Sequence, residues 1–161
     1  MKIQSLLTWF GAMLILLPLS VHAAEPTAPT EAKSASCALL KPADLTTLLG
    51  EAAEAKPTGD ACSWTVSGST NKLNILKYKN SGMAAEMAFA GARKNAAKNG
   101  TVISQRGLGD NAFALMQPVG VVLLAIKNGQ MVQLQYWSGK AGTDKDLEAL
   151  VTVAKKAIEG F

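Results

Sequence analysis

The sequence predicts an α+β fold: a mostly antiparallel sheet of five or six strands packed against about three helices in a single domain. Three observations carry that expectation. Asn128 and Gly129 join two strand-like apolar runs as a two-residue hairpin. The stretch from Thr143 to Gly160 sets apolar residues at helical spacing behind a capping motif. The remaining periods run helix, two strands, helix, two to four strands, helix, which mixes the two element types instead of repeating a βα unit.

Met1 to Ala23 reads as an export leader. Lys2 is its basic start, Leu6 to Leu17 its apolar run, broken only by Thr8 and Gly11, and Val21, His22 and Ala23 suit cleavage before Ala24. The run is about 12 residues, short of the roughly 20 that span a bilayer, so removal and not anchoring is expected. No later stretch is both long and apolar enough to cross. The expected product is a soluble periplasmic or secreted chain of about 138 residues, enough for one core that buries roughly two thirds of the unfolded surface. Residues 24–36 contain Pro26 and Pro29 and no large apolar side chain. Burial there cannot offset ordering entropy, so a flexible tether is expected, with the domain occupying 37–161.

Within the domain, Pro42 at a first helical position, Leu45, Leu48 and Leu49 at helical spacing, and Gly50 as a stop predict a short helix. Lys56 to Asp60 reads as a loop, Cys62 to Val66 as a strand carrying Trp64, and Leu73 to Lys79 as its hairpin partner. Asn80, Ser81 and Gly82 introduce an alanine-rich helix over Met83 to Lys98, closed by Asn99 and Gly100. Thr101 to Ser104 and Asn111 to Met116 are the next strands. Val119 to Lys127 is apolar without a break from Val121 to Ile126, the pattern of a central strand buried on both faces. In Met131 to Trp137, Val132, Leu134 and Tyr136 point one way, while Met131, Gln133, Gln135 and Trp137 point to a partly polar face. The last helix has Thr143 as cap, Asp146 at the capping-box distance and an apolar stripe of Leu147, Leu150, Val151, Ala154, Ala157 and Ile158.

Composition excludes several chemistries. The only histidine, His22, lies in the leader, so the mature chain has no imidazole for His-assisted hydrolysis, His-ligated zinc or a proximal haem ligand. No cofactor is expected. Once the leader is removed, fifteen Lys and Arg face twelve Asp and Glu. The bases are scattered, whereas nucleic-acid binding needs a concentrated basic stripe, so no nucleic acid is expected and only weak attraction to anionic envelope surfaces. Cys37 and Cys62 are an even pair in an exported chain, for which a disulfide is the default; metal-bound or catalytic thiols and lipidation of Cys37 are the alternatives.

Three patterns hold candidate chemistry. Gly107, Gly109 and Ala112 spell G-x-G-x-x-A, the dinucleotide fingerprint, but a strand follows where a helix is needed. A glycine-dependent structural turn at Gly107, Gly109 and Asp110, with Asp110 bonding nearby N–H groups, is the favoured reading. Met83 and Met87, four residues apart, have the soft thioethers that bind copper(I), yet without histidine or a third methionine core packing is favoured. A carboxylate pair including Asp110 would serve glycoside cleavage only if a second acid faced it across a groove. Gln133, Gln135 and Trp137 form the candidate interaction surface, whereas Trp64, beside a half-cystine, belongs to the core.

Taken together, Cys37, Leu39, Leu40, Asp44, Leu49 and Gly50, then Cys62 and Trp64, then Gly107, Gly109, Asp110 and Ala112 resemble a family of small bacterial exported or lipid-anchored domains of unknown function. The resemblance spans nearly the whole mature chain and implies a disulfide between Cys37 and Cys62; it implies no activity. The chain departs from the lipid-anchored members in lacking a lipobox ahead of Cys37. A sandwich like that of the extrinsic photosystem proteins is the fold-level analogy. The expected function is a non-catalytic binding or interaction module for an envelope protein or small ligand. A carboxylate-dependent envelope hydrolase and a structural role in envelope maintenance are the alternatives.

Overall fold

The computed structural model describes residues 34–50 and 53–161. The leader, its cleavage point before Ala24 and residues 24–33 of the expected tether lie outside the described residues. The end of that tether does not hang free. Ser34 and Ser36 are buried, and both hydroxyls donate to the Asp60 carbonyl, while Ser36 Oγ also accepts from the Lys77 N–H at 2.9 Å. A hydroxyl both donates and accepts, so hydrogen bonds fasten these residues where no apolar side chain is present.

A 3₁₀ turn, Cys37–Leu39, leads to a second, Pro42–Leu45, which runs into the single turn of α1, Thr46–Leu49. Pro42 opens it with a preset φ, and the Lys41 N–H donates to Asp44 Oδ2 at 2.8 Å. Leu45, Leu48 and Leu49 are buried. The chain continues as β1 (Glu54–Thr58), β2 (Ala61–Thr65), β3 (Lys72–Ser81), α2 (Met83–Asn99), β4 (Val102–Ser104), β5 (Asn111–Gln117), β6 (Gly120–Lys127), β7 (Gln130–Trp137) and α3 (Asp144–Ala157).

All the strands join one antiparallel sheet in the order β1-β2-β3-β7-β6-β5-β4. Two meanders, β1 to β3 and β4 to β7, are sewn together where β3 pairs with β7. The sheet thus has seven strands, one more than the upper expectation, and the addition is β1, which occupies the segment read as a loop. Pro57 lies within it, opposite Cys62. An edge strand accommodates proline because only one side of its ladder needs donors.

Each face of the sheet carries its own core. On one, Trp64, Leu73, Ile75, Leu123, Leu134 and Tyr136 pack with α1 and α3. On the other, Phe113, Val122, Leu124, Ile126 and Met131 lie beneath Ala85 and Phe89 of α2. Serving both, β6 is buried at every position except Lys127, as its unbroken apolar run requires. Asn128, at φ 51°, and Gly129, at φ 68°, form the expected tight turn into β7.

Two expectations for the second face need correction. Met131 is 1% exposed beneath α2 and does not share a solvent face with the glutamines. Met83 and Met87, expected in the core, are 77% and 70% exposed. The side of α2 that meets the sheet is made instead from Ala85 and Phe89, with Ala88, Ala92 and Ala96 packed alongside. Small side chains bring a helix close to a sheet, and the longer methionines are left outside.

The last helix follows its sequence. Thr143 Oγ1 accepts from the Asp146 N–H at 3.2 Å, and Asp146 Oδ2 accepts in return from the Thr143 N–H at 3.0 Å. Leu147, Leu150, Val153, Ala154, Ala157 and Ile158 are buried, whereas Val151 is only half-buried. At its end Lys127 Nζ donates to the Ile158 carbonyl at 2.9 Å, placing a cation at the negative pole of the helix.

Candidate functional site

Cys37 and Cys62 form a disulfide with their Cα atoms 4.9 Å apart. Cys62 is wholly buried on β2 and Cys37 opens the first 3₁₀ turn, so the bond clamps the start of the domain against the sheet. With Sγ of Cys37 in that bond, no thiol is left there for a lipid thioether, a metal or a nucleophile. Among the described residues there is no free cysteine and no group of three or more His, Cys, Asp or Glu placed to hold a metal ion.

The G-x-G-x-x-A segment is the β4–β5 connection. Gly107 and Gly109 have φ of 73° and 65°, and a Cβ on Gly109 would run into the Ile126 carbonyl oxygen. The Asp110 N–H donates to that same carbonyl at 2.8 Å, while Asp110 Oδ2 accepts the Asn128 N–H at 2.7 Å. The loop is therefore bonded to the far end of the β6–β7 hairpin, and β5 follows it directly. This is a structural junction without the strand–turn–helix cradle that a pyrophosphate needs. Gly109→Ala adds both a left-handed backbone penalty and a backbone collision, so a loss of about 2–3 kcal/mol is expected in urea unfolding.

Asp110 also borders a cleft of about 330 Å³ between α2 and the sheet, lined by Glu86, Phe89, Ala90, Asn111 and Ile126. Two carboxylates thus come to one cleft, a juxtaposition the sequence did not announce. One oxygen of Asp110 is already engaged by Asn128, and the cleft floor is apolar.

Gln133, Gln135 and Trp137 are half-buried and share the sheet face that carries α2. The hydrophobic cluster under α2 draws on β3 to β7 and takes nothing from β1 or β2. Beyond it the face is polar. Register places Lys56, Ser63, Asn74 and Gln135 in one row across four strands, beside a second row with Leu76 and Gln133 and a third with Thr65, Lys72 and Trp137. Gln133 Oε1 accepts from the Tyr78 hydroxyl at 2.8 Å. Lys72 Nζ sits 4.4 Å from the centroid of the Trp137 ring, a cation–π contact. Asn74 Oδ1 is buried without a hydrogen-bond partner among the described residues, and a buried acceptor normally finds one. Composition and motif do not point to Ser63 and Asn74, although each is a polar residue between two apolar neighbours of a strand.

Trp64, 2% exposed, belongs to the core as expected. Its Nε1 is also buried without a partner among the described residues.

Burial raises the pKa of Tyr78 above its ordinary value, and burial together with the Asp146 carboxylate raises that of Tyr136. In the unfolded chain both ionise near pH 10. Their neutral forms are favoured in the fold, so the stability tied to them is intact below about pH 10 and declines as pH climbs through the raised values. Urea midpoints measured from pH 8 to 11 are expected to fall above pH 10, and less steeply in Tyr78→Phe.

Comparison with known proteins returns no match: no protein-family model, no curated protein and no solved structure corresponds to this chain. The fold defines the class by itself, a disulfide-bonded α+β domain on a single antiparallel sheet.

Proposed function

We propose that this chain is an exported, non-catalytic binding module of the small paired-cysteine envelope family it resembles, with its ligand or protein partner held on the half of the sheet that none of the described helices covers. The observation that carries the reading is the polar row Ser63, Asn74 and Gln135, in which the side-chain oxygen Oδ1 of Asn74 is buried with no hydrogen-bond partner among the described residues. Side-chain amides on a part of the sheet that no described helix covers supply donors and acceptors at fixed spacing, and Trp137 adds an aromatic body at their edge. Because Asn74 Oδ1 is buried, a donor on a bound molecule would reach it only as the neighbouring side chains move aside. Export rests on the leader-like start of the sequence, and the disulfide is consistent with an oxidising compartment.

The test is native mass spectrometry of the protein isolated from its own envelope fraction. Wild type is expected to carry a non-covalent companion, while the triple variant Gln133→Ala, Gln135→Ala, Trp137→Ala loses it and keeps its near-ultraviolet circular dichroism from buried Trp64. Retention of the companion by the folded triple variant would remove the face from consideration. Release of cleaved glycan or peptide from envelope material, abolished by Glu86→Gln, would replace the binding reading with the hydrolase one. An envelope that leaks on deletion, with no companion on the wild-type protein, would favour the structural role.

A further inference from the structure

The outer surface of α2 is unlike the exposed side of an ordinary surface helix. Met83, Met87, Ala90, Lys94 and Ala97 are all exposed, and their spacing of four, three, four and three residues is that of a coiled-coil seam. Met83 and Met87 are the two most exposed large hydrophobic side chains described, at 77% and 70%. The opposite side of α2 already packs on the sheet through Ala85 and Phe89. The seam is therefore a second, mostly apolar stripe, interrupted by Lys94, against which none of the described residues packs.

We propose that this seam pairs with the α2 seam of a second copy of the chain in antiparallel orientation, forming a two-fold dimer. Charge selects both the partner and the direction. In a parallel pair, Lys94 would stack on Lys94 of the second copy. In the antiparallel pair, Met83 lies along the aliphatic stem of Lys94 and Met87 covers Ala90, so long side chains meet short ones. One flank then brings Glu86 toward Arg93 of the other copy, twice by symmetry. Arg93 donates to Ser104 Oγ at 2.8 Å through one terminal nitrogen, which steadies the guanidinium and leaves its other donors for a carboxylate. The other flank is Ala84 and Gly91, small enough for close approach. Methionine suits such a surface because its flexible thioether adapts to the opposing side chains. A pair of 17-residue helices buries less than the roughly 1,200–2,000 Å² of a standard interface. The dimer is accordingly weak, with a dissociation constant on the order of 10–500 µM.

Sedimentation equilibrium of the purified protein from about 10 µM to 1 mM tests this, with far-ultraviolet circular dichroism to verify folding of each variant. Wild type is expected to shift from monomer toward dimer across that range. Glu86→Arg sets Arg against Arg, and Arg93→Glu sets Glu against Glu, so each is expected to weaken the dimer about tenfold or more. The double variant E86R/R93E restores opposite charges and is expected to return to within about threefold of wild type. Met87→Glu, outside the charge pair, is expected to leave a monomer. A wild type that stays monomeric throughout would overturn the proposal, as would a dimer indifferent to the single reversals or a double reversal without recovery. A monomer that instead sediments with anionic lipid vesicles would assign the stripe to a membrane surface and overturn it as well.

Discussion

Replacing Cys37 and Cys62 together with alanine is expected to lower unfolding free energy by about 3 kcal/mol and the melting temperature by roughly 10–15 °C. The bond closes a loop whose ends are 25 residues apart, and removing it returns that loop entropy to the unfolded chain. Alanine is the better replacement because a serine hydroxyl at wholly buried position 62 would be a further unpaired polar group. The consequence is local as well as global. The disulfide holds the first 3₁₀ turn against β2, and the same corner is where the Ser34 and Ser36 hydroxyls bond to Asp60 and, through Ser36, to Lys77. Without the clamp only these few hydrogen bonds and the burial of Leu40, with Leu39 packed beside it, oppose release of residues 34–41, so limited proteolysis is expected to reach them first. Reduced wild type serves as the control and is expected to unfold at the same urea concentration as the double variant. A shift below about 1 kcal/mol would mean that the unfolded chain is already compact around this loop.

What was legible in the sequence had a local physical signature. Asn128 and Gly129 demand positive φ, Thr143 and Asp146 cap each other, and seven consecutive apolar or glycine positions in β6 leave no side for water. Alternation also sorted Gln133, Gln135 and Trp137 onto one face of β7, because side chains in a strand reverse with period two. It could not say which part of that face a helix would cover, since α2 reaches the sheet from far along the chain. The missed features share a different cause. β1 has no aliphatic run and contains a proline, and it is a strand only because β2 supplies its ladder. Ser34 and Ser36 are held by hydrogen bonds instead of apolar area, so hydropathy passes over them. In α2, alanine occurs on every side, so the pattern does not tell the buried side from the exposed one; the largest apolar residues looked like the buried ones, although small residues win the contact where backbones approach closely.

That last point makes Phe113 the single side chain on which α2 most depends. Phe113 is 1% exposed on β5, and its ring centre lies 5.2 Å from that of Phe89 at an interplanar angle of 64°, an edge-to-face pair. The rest of the contact surface of α2 is largely alanine, whose methyl groups bury little area each. Phe113→Ala is therefore expected to cost about 3–5 kcal/mol, combining lost transfer energy with a cavity that a regular strand cannot collapse to fill. The loss should also be uneven. The core on the opposite face, built around Leu123, Leu134 and Leu150, contains neither ring, so hydrogen exchange is expected to show α2 amides opening before those of β6 and β7. Equal loss of protection in all three elements would mean that both cores unfold as one cooperative unit. In the uneven case α2 opens at lower free energy than β6 and β7, and a partner seated along its outer seam would stabilise the protein by holding that helix down.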